Sequence, residues 1–129
     1  MNLEEFIHIA EHAPIRYNGD VHEGVLRAYL RWTRRYILTE DGHMVMHNTI
    51  DIGNVSVPER EQRKGVFRGF LEKLERTADQ FGRTLYVENV LNPNLAKFLS
   101  ARKGFRLVPD ADNLAPCFYR TPPRSEETA

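Results

Sequence analysis

At 129 residues the chain is long enough for one compact domain with a hydrophobic core of its own. Its 18 basic and 18 acidic side chains cancel to a net charge of zero, which disfavours nucleic acid and anionic membrane surfaces as partners, since their binders carry a net basic field. A single cysteine, Cys117, excludes an intrachain disulfide and suits a reducing compartment. No apolar run approaches a bilayer's thickness, and the opening Met1-Asn2-Leu3-Glu4-Glu5 lacks the pattern of a signal peptide, so a cytoplasmic protein is expected.

In chain order, Asn2 is placed to cap a first helix whose first turn holds Glu4 and Glu5, where the helix dipole favours carboxylates. Leu3, Phe6, Ile7, Ala10 and Ala13 give it an apolar stripe, and Pro14 stops it. Asn18-Gly19-Asp20 is a turn signal. From Gly24 the pattern becomes that of strands. Residues 25–32 and 35–39 read as two of them, Glu40-Asp41-Gly42 as a hairpin connection, and 43–47 and 49–57 as the continuing antiparallel meander. Gly53-Asn54 predicts a bulge in the last strand.

The second half alternates helix and strand. Val66, Phe67, Phe70, Leu71, Leu74, Ala78 and Phe81 form one face of a long helix closed by Gly82. Residues 85–90 read as a strand, Asn92-Pro93-Asn94 as the start of another helix ending at Gly104, and 105–108 and 117–120 as two final strands. Residues 121–129 have no apolar anchor and read as a disordered tail behind a single domain over 1–120. The sum is an α+β layer with a mostly antiparallel sheet.

The most informative stretch runs from Val55 to Phe67. A strand ends at Pro58, a polar loop carries Arg60, Arg63 and Lys64, and Gly65 opens the long amphipathic helix. The first N–H groups of a helix lack intrahelical acceptors and sit at the positive end of its dipole, so this junction attracts anions, phosphate above all. Gly65 lets such a ligand approach the backbone with no Cβ in the way.

With these residues in place the chain resembles the GNAT superfamily of acetyl-CoA-dependent N-acetyltransferases. Gln62-Arg63-Lys64-Gly65-Val66-Phe67 is similar to the family's Gln/Arg-x-x-Gly-x-Gly/Ala loop, and Ala96 to Gly104-Phe105 to its later helix motif. The resemblance covers roughly the second half of the chain and departs from the family at Phe67, where a small residue is usual, and at Ser100, where a tyrosine is usual. It implies a single-domain GNAT-like fold, with a mixed sheet flanked by helices and a splay between the fourth and fifth core strands, here 50–57 and 85–90. It implies acetyl-CoA as acetyl donor, with the backbone of Val55, Ser56 and Val57 pairing with the pantetheine arm and the amides of Gln62, Arg63, Lys64, Gly65, Val66, Phe67 and Arg68 holding the pyrophosphate. Asn92, Asn94 and Lys97 fall where the family contacts the far side of the cofactor.

For catalysis, Asp51 lies eleven residues before Gln62, the offset at which histone-type members place a catalytic glutamate, and Glu88 on the facing strand is the second carboxylate. Ser100 occupies the position of the acid that protonates the leaving thiolate, and Tyr86 and Tyr119 are its possible substitutes. The expected reaction is direct transfer to an amine-bearing acceptor, small molecule or protein, by a monomer or homodimer. Phe67 and Ser100 leave a rival open: a non-catalytic GNAT-like module that binds acyl-CoA or a protein.

The remaining features read as structural. His8 and His12, four residues apart, have a spacing that can bind metal but read as part of a solvated helix face, so no metal site is expected. His43 and His47 share a strand face, Cys117 reads as a small core residue, and the arginines of Arg31-Trp32-Thr33-Arg34-Arg35 read as the solvent face of the meander.

Overall fold

The computed structural model describes residues 1–62, 64–88, 90, 92–109 and 115–123. Helix α1 (Leu3–Ala10) begins at a capping box. Asn2 Oδ1 accepts the Glu5 N–H at 2.9 Å, and the Asn2 N–H donates to Glu5 Oε1 at 3.3 Å. The helix stops at Ala10, short of Pro14, and tightens into i to i−3 turns, with Ala13 N–H reaching the Ala10 carbonyl at 3.0 Å.

The antiparallel half contains three long strands, β1 (Tyr17–Glu23), β2 (Leu26–Leu38) and β3 (Met44–Ser56), in place of the four short ones expected. Thr33 pairs with Thr49 and Arg34 with Asn48, so the polar residues that seemed to interrupt two strands lie within one continuous ladder. Asn18-Gly19-Asp20 is likewise strand and not turn, paired with Arg31, Leu30 and Tyr29. Gly19 lies against the Phe6 ring, where a Cβ would come within 3.4 Å, so α1 packs closely on this edge strand. The chain turns instead at Gly24, whose φ of 59° is left-handed. The expected bulge is present: Arg27 opposes Ser56 while Tyr29 opposes Gly53, which leaves one extra residue on β3, and Asn54 has φ 49°.

Helix α2 (Val66–Phe81) runs between Gly65 and Gly82, both left-handed, followed by β4 (Thr84–Val87), α3 (Pro93–Ala101), β5 (Arg106–Leu107) and β6 (Phe118–Arg120). Among the described residues the strands form a six-stranded sheet of order β1-β2-β3-β4-β6-β5 in which only β3 and β4 run parallel. This is the expected α+β class, a mostly antiparallel mixed sheet flanked by helices. The tail expected from residue 121 lies, from 124 onward, outside the described residues.

One sheet face, with Leu26, Leu30, Trp32, Ile50, Ile52, Leu85 and Val87, packs against all three helices in one core. Phe6, Leu71 and Leu74 have no exposed surface, and burial of each contributes roughly 1.5–3 kcal/mol. Ion pairs fix the helices in place. Glu75 of α2 grips Arg102 at the end of α3 through contacts of 2.8 and 2.7 Å, and Asp79 grips Arg120 of β6 at 2.9 and 3.1 Å. The opposite face bears a smaller cluster of Ile37, Tyr86 and Tyr119 and, beside it, a group of charged side chains. No helix among the described residues is long and apolar enough to cross a membrane.

Candidate active site

The parallel ladder between β3 and β4 ends where Ile52 meets Val87 and the Glu88 N–H reaches the Ile52 carbonyl at 3.2 Å. Beyond that point the chain after β4 turns to the C-terminal segment, the Val90 N–H donating to the Pro116 carbonyl at 2.8 Å. The β4-facing edge of β3 after Gly53 is therefore released from its parallel partner, and the two strands part. Gly53 leaves room here for the Glu88 side chain, since a Cβ would lie 2.9 Å from Glu88 Oε1 and displace it.

The opening leads into a cavity of about 360 Å³ between the end of β3, the start of α2 and α3. Of the residues expected to hold cofactor, Val55, Val57, Gln62, Gly65, Val66, Phe67, Arg68, Asn92 and Asn94 line it, together with Glu61, Leu95 and Phe98. Ser56 and Lys97 are exposed and outside the lining, Lys64 is exposed with its Nζ 3.5 Å from Glu61 Oε2, and Arg63 lies outside the described residues.

Local chemistry builds the loop. Pro58 starts a single 3-10 turn (Glu59–Glu61), and Gln62 Nε2 donates back to the Val57 carbonyl at 3.0 Å, closing the loop on the strand it left. Gly65, with φ 79°, turns the chain into α2, and space for a Cβ there is open. The first bond closing the helix is Gly69 N–H to the Gly65 carbonyl at 2.9 Å, so helix geometry leaves the N–H groups of Val66, Phe67 and Arg68 without intrahelical acceptors. Asn92 Oδ1 caps α3 by accepting the Asn94 and Leu95 N–H groups at 2.8 and 3.3 Å. Phe67 is half-buried and meets Phe98 edge-on at 5.8 Å, so its ring packs on the core and forms part of the cavity wall.

The face of the sheet opposite the helices carries the carboxylates. Asp51 has no exposed surface, and its Oδ2 accepts from Arg35 Nη2 at 2.9 Å, Arg35 Nε at 3.2 Å and Arg31 Nε at 3.3 Å. Glu88 pairs with Arg31 through Oε1 and lies 3.7 Å from Arg35 Nη2 through Oε2, with its side chain 23% exposed at the mouth of the splay. Arg31 and Arg35 are thus not on a solvent face, as the sequence pattern suggested; they knit β2 to both carboxylates. Four residues apart on one continuous strand they share a face, a relation hidden when the strand is read as two. Arg35 also stacks 3.9 Å over the Tyr86 ring. Asp51 is therefore held by two guanidinium groups away from solvent, and Glu88 is the more exposed of the two carboxylates.

Ser100 is not brought to the cavity. Asn94, Leu95 and Phe98 give the lining face of α3, and two further residues at about 100° each carry Ser100 to the far, exposed side. Tyr86 is no ready substitute: burial, with a contribution from Cys117, pushes its phenol well above the usual range, so it holds its proton more tightly. Tyr119 is 3% exposed.

Among the described residues, three buried polar atoms lack a hydrogen-bond partner: His47 Nε2, Thr49 Oγ1 and Asp51 Oδ1, at alternate positions along this face of β3. His47 Nδ1 meets Thr84 Oγ1 at 2.9 Å. Burial lowers the His47 imidazole below its ordinary range, so between that value and about 6.5 the unfolded chain binds a proton that the folded one does not. Stability is therefore expected to fall as pH drops from about 7.5 to about 5.5, and less steeply in His47→Gln. Urea midpoints at the two pH values check this; equal slopes in the two proteins would contradict it.

No protein-family model and no curated protein matches this sequence. Among solved structures the chain is similar to the crystal structure of nourseothricin acetyltransferase, at 17% identity and a TM-score of 0.42, over 78% of this chain and 66% of that one. The chain thus spans just under two thirds of that protein's length. A likeness at this level transfers no activity.

Proposed function

We propose that this chain is an N-acetyltransferase of the GNAT type, which moves an acetyl group from acetyl-CoA directly to the amine of a small-molecule or protein acceptor. The observation that carries the reading is the parting of β3 from β4 beside the glycine-opened start of α2. A released strand edge suits the amide-bearing pantetheine arm, as an added strand would, and the N–H groups of Val66 to Arg68 suit the pyrophosphate. The open space at Gly65 and the apolar wall from Val55, Val57 and Phe98 fit that ligand.

In the reaction the amine nitrogen bonds to the thioester carbon and the carbon–sulfur bond breaks. One proton leaves the amine, and the departing thiolate takes one up. A backbone N–H near Val55 or Val57 is the donor suited to the carbonyl oxygen. Glu88 at the splay is the group suited to take the amine's proton, directly or through water, and Asp51 positions it by holding Arg31 and Arg35. Glu88→Gln is expected to lower turnover by about 10²-fold or more, while acetyl-CoA still binds. Acetylated products formed from a mixed amine pool, read by mass spectrometry, measure this, and unchanged turnover would reject Glu88.

A second reading is favoured by the outward direction of Ser100 and the clamped Asp51: a GNAT-like module that binds acyl-CoA without transferring the acyl group. Acetyl-CoA binding with no product from any amine in the pool would select it.

A further inference from the structure

The end of α1 brings together three side chains of what was expected to be a solvated helix face. His8 and His12 face each other with ring centroids 5.3 Å apart, and Glu11, between them in the chain, supplies a third ligand. One ligand atom from each residue lies within 4.8 Å of the other two, and all three side chains are exposed. The helix makes this possible by tightening after Ala10, with the His12 N–H bonded to the Ile9 carbonyl at 3.2 Å. His12 Nδ1 lies 2.9 Å from the His8 carbonyl. A carbonyl accepts, so Nδ1 carries the proton, and the ring's lone pair is left on Nε2. Metal-binding histidines are commonly oriented by this contact.

We propose that His8, Glu11 and His12 form a surface site for a divalent transition metal of the zinc class. Two imidazoles and one carboxylate match zinc's preference, whereas magnesium and calcium call for oxygen ligands throughout. Three protein ligands leave a fourth tetrahedral position for water or an exogenous donor. Glu11 also lines a second cavity, of about 450 Å³, whose wall includes Trp32, Arg34, Asn48 and Arg83. The metal therefore sits at the rim of a pocket bearing two guanidinium groups. That pocket shares no lining residue with the cleft at Gly65, so the metal site stands or falls independently of acetyl transfer.

Calorimetric titration of the untagged full chain with zinc chloride, after removal of metal by a chelator, tests the site. One equivalent is expected to bind, and His8→Ala and His12→Ala are each expected to weaken binding by about tenfold or more. Glu11→Gln should weaken it measurably, and magnesium should not bind. Zinc should also raise the thermal midpoint of the parent protein but not that of the double variant His8→Ala/His12→Ala. The positions are exposed, so far-UV circular dichroism should show the variants folded. Absence of binding up to about 1 mM zinc would overturn the site, since a three-ligand site binds far more tightly than that. Undiminished binding in the double variant would also overturn it by placing the metal on other histidines, and unchanged affinity in Glu11→Gln would overturn the three-ligand arrangement.

Discussion

Gly65→Glu is expected to abolish the rise in thermal midpoint that saturating acetyl-CoA produces in the parent protein. The position has φ 79°, and a Cβ there projects into open space at the mouth of the cleft and not into the protein. A glutamate thus sets a carboxylate against the N–H groups of Val66 to Arg68, where it competes with the pyrophosphate and repels it. Left-handed backbone costs a non-glycine residue about 1–2 kcal/mol, so the variant alone is modestly less stable. Gly65→Ala separates the two effects, because it carries the strain without the charge. It should lose similar stability but keep most of the acetyl-CoA shift. A full shift in Gly65→Glu would mean that the ligand does not approach this loop.

Arg35→Leu is expected to give the largest loss of stability of any single change on the sheet's open face, about 3 kcal/mol. Asp51 has no exposed surface, and Arg35 provides two of the three N–H contacts to its Oδ2. Removing that partner leaves a buried carboxylate underpaired, which costs about 3–5 kcal/mol, and the remaining Arg31 contact keeps the loss near the lower limit. The stack on Tyr86 at 3.9 Å is lost as well. Arg35→Leu combined with Asp51→Leu should recover much of the deficit, because the pair then disappears together and Arg31 still has Glu88. Denaturant unfolding of the three proteins provides the comparison. A loss below about 1 kcal/mol in Arg35→Leu, or a double variant worse than the single one, would contradict the account of Asp51 as a clamped charge.

The parts of the fold that were legible in the sequence are those set by local chemistry. Asn2 and Asn92 cap their helices, Gly65 and Gly82 bracket α2, and the bulge falls at Gly53-Asn54 because these residues choose their backbone conformation with little help from the rest of the chain. The residues that the family resemblance picks out around Gly65 mostly line one cavity. What was hidden depends on long-range pairing. Asn18-Gly19-Asp20 has turn composition but is held as strand by β2, with Gly19 giving room to Phe6. Thr33-Arg34 and Asn48 resemble strand ends but face each other across one ladder. The cluster of Arg31, Arg35, Asp51 and Glu88 draws on β2, β3 and the end of β4, so its charges meet only once the register is set. Ser100 shows the same limit on a helix: its spacing from Gly104 matches a motif, but the roll of α3 about Asn94, Leu95 and Phe98 decides where it points.

The central claim is that the parted strands and the Gly65 loop form an acyl-CoA site, and titration of the parent protein with acetyl-CoA while following its thermal unfolding tests it most directly. A ligand that binds only the folded state at 100 times its Kd adds about 2.7 kcal/mol of stability. The account predicts a saturable, concentration-dependent rise in the midpoint, shared by coenzyme A and absent with dephosphorylated pantetheine at the same concentration. No rise at any acetyl-CoA concentration would contradict it.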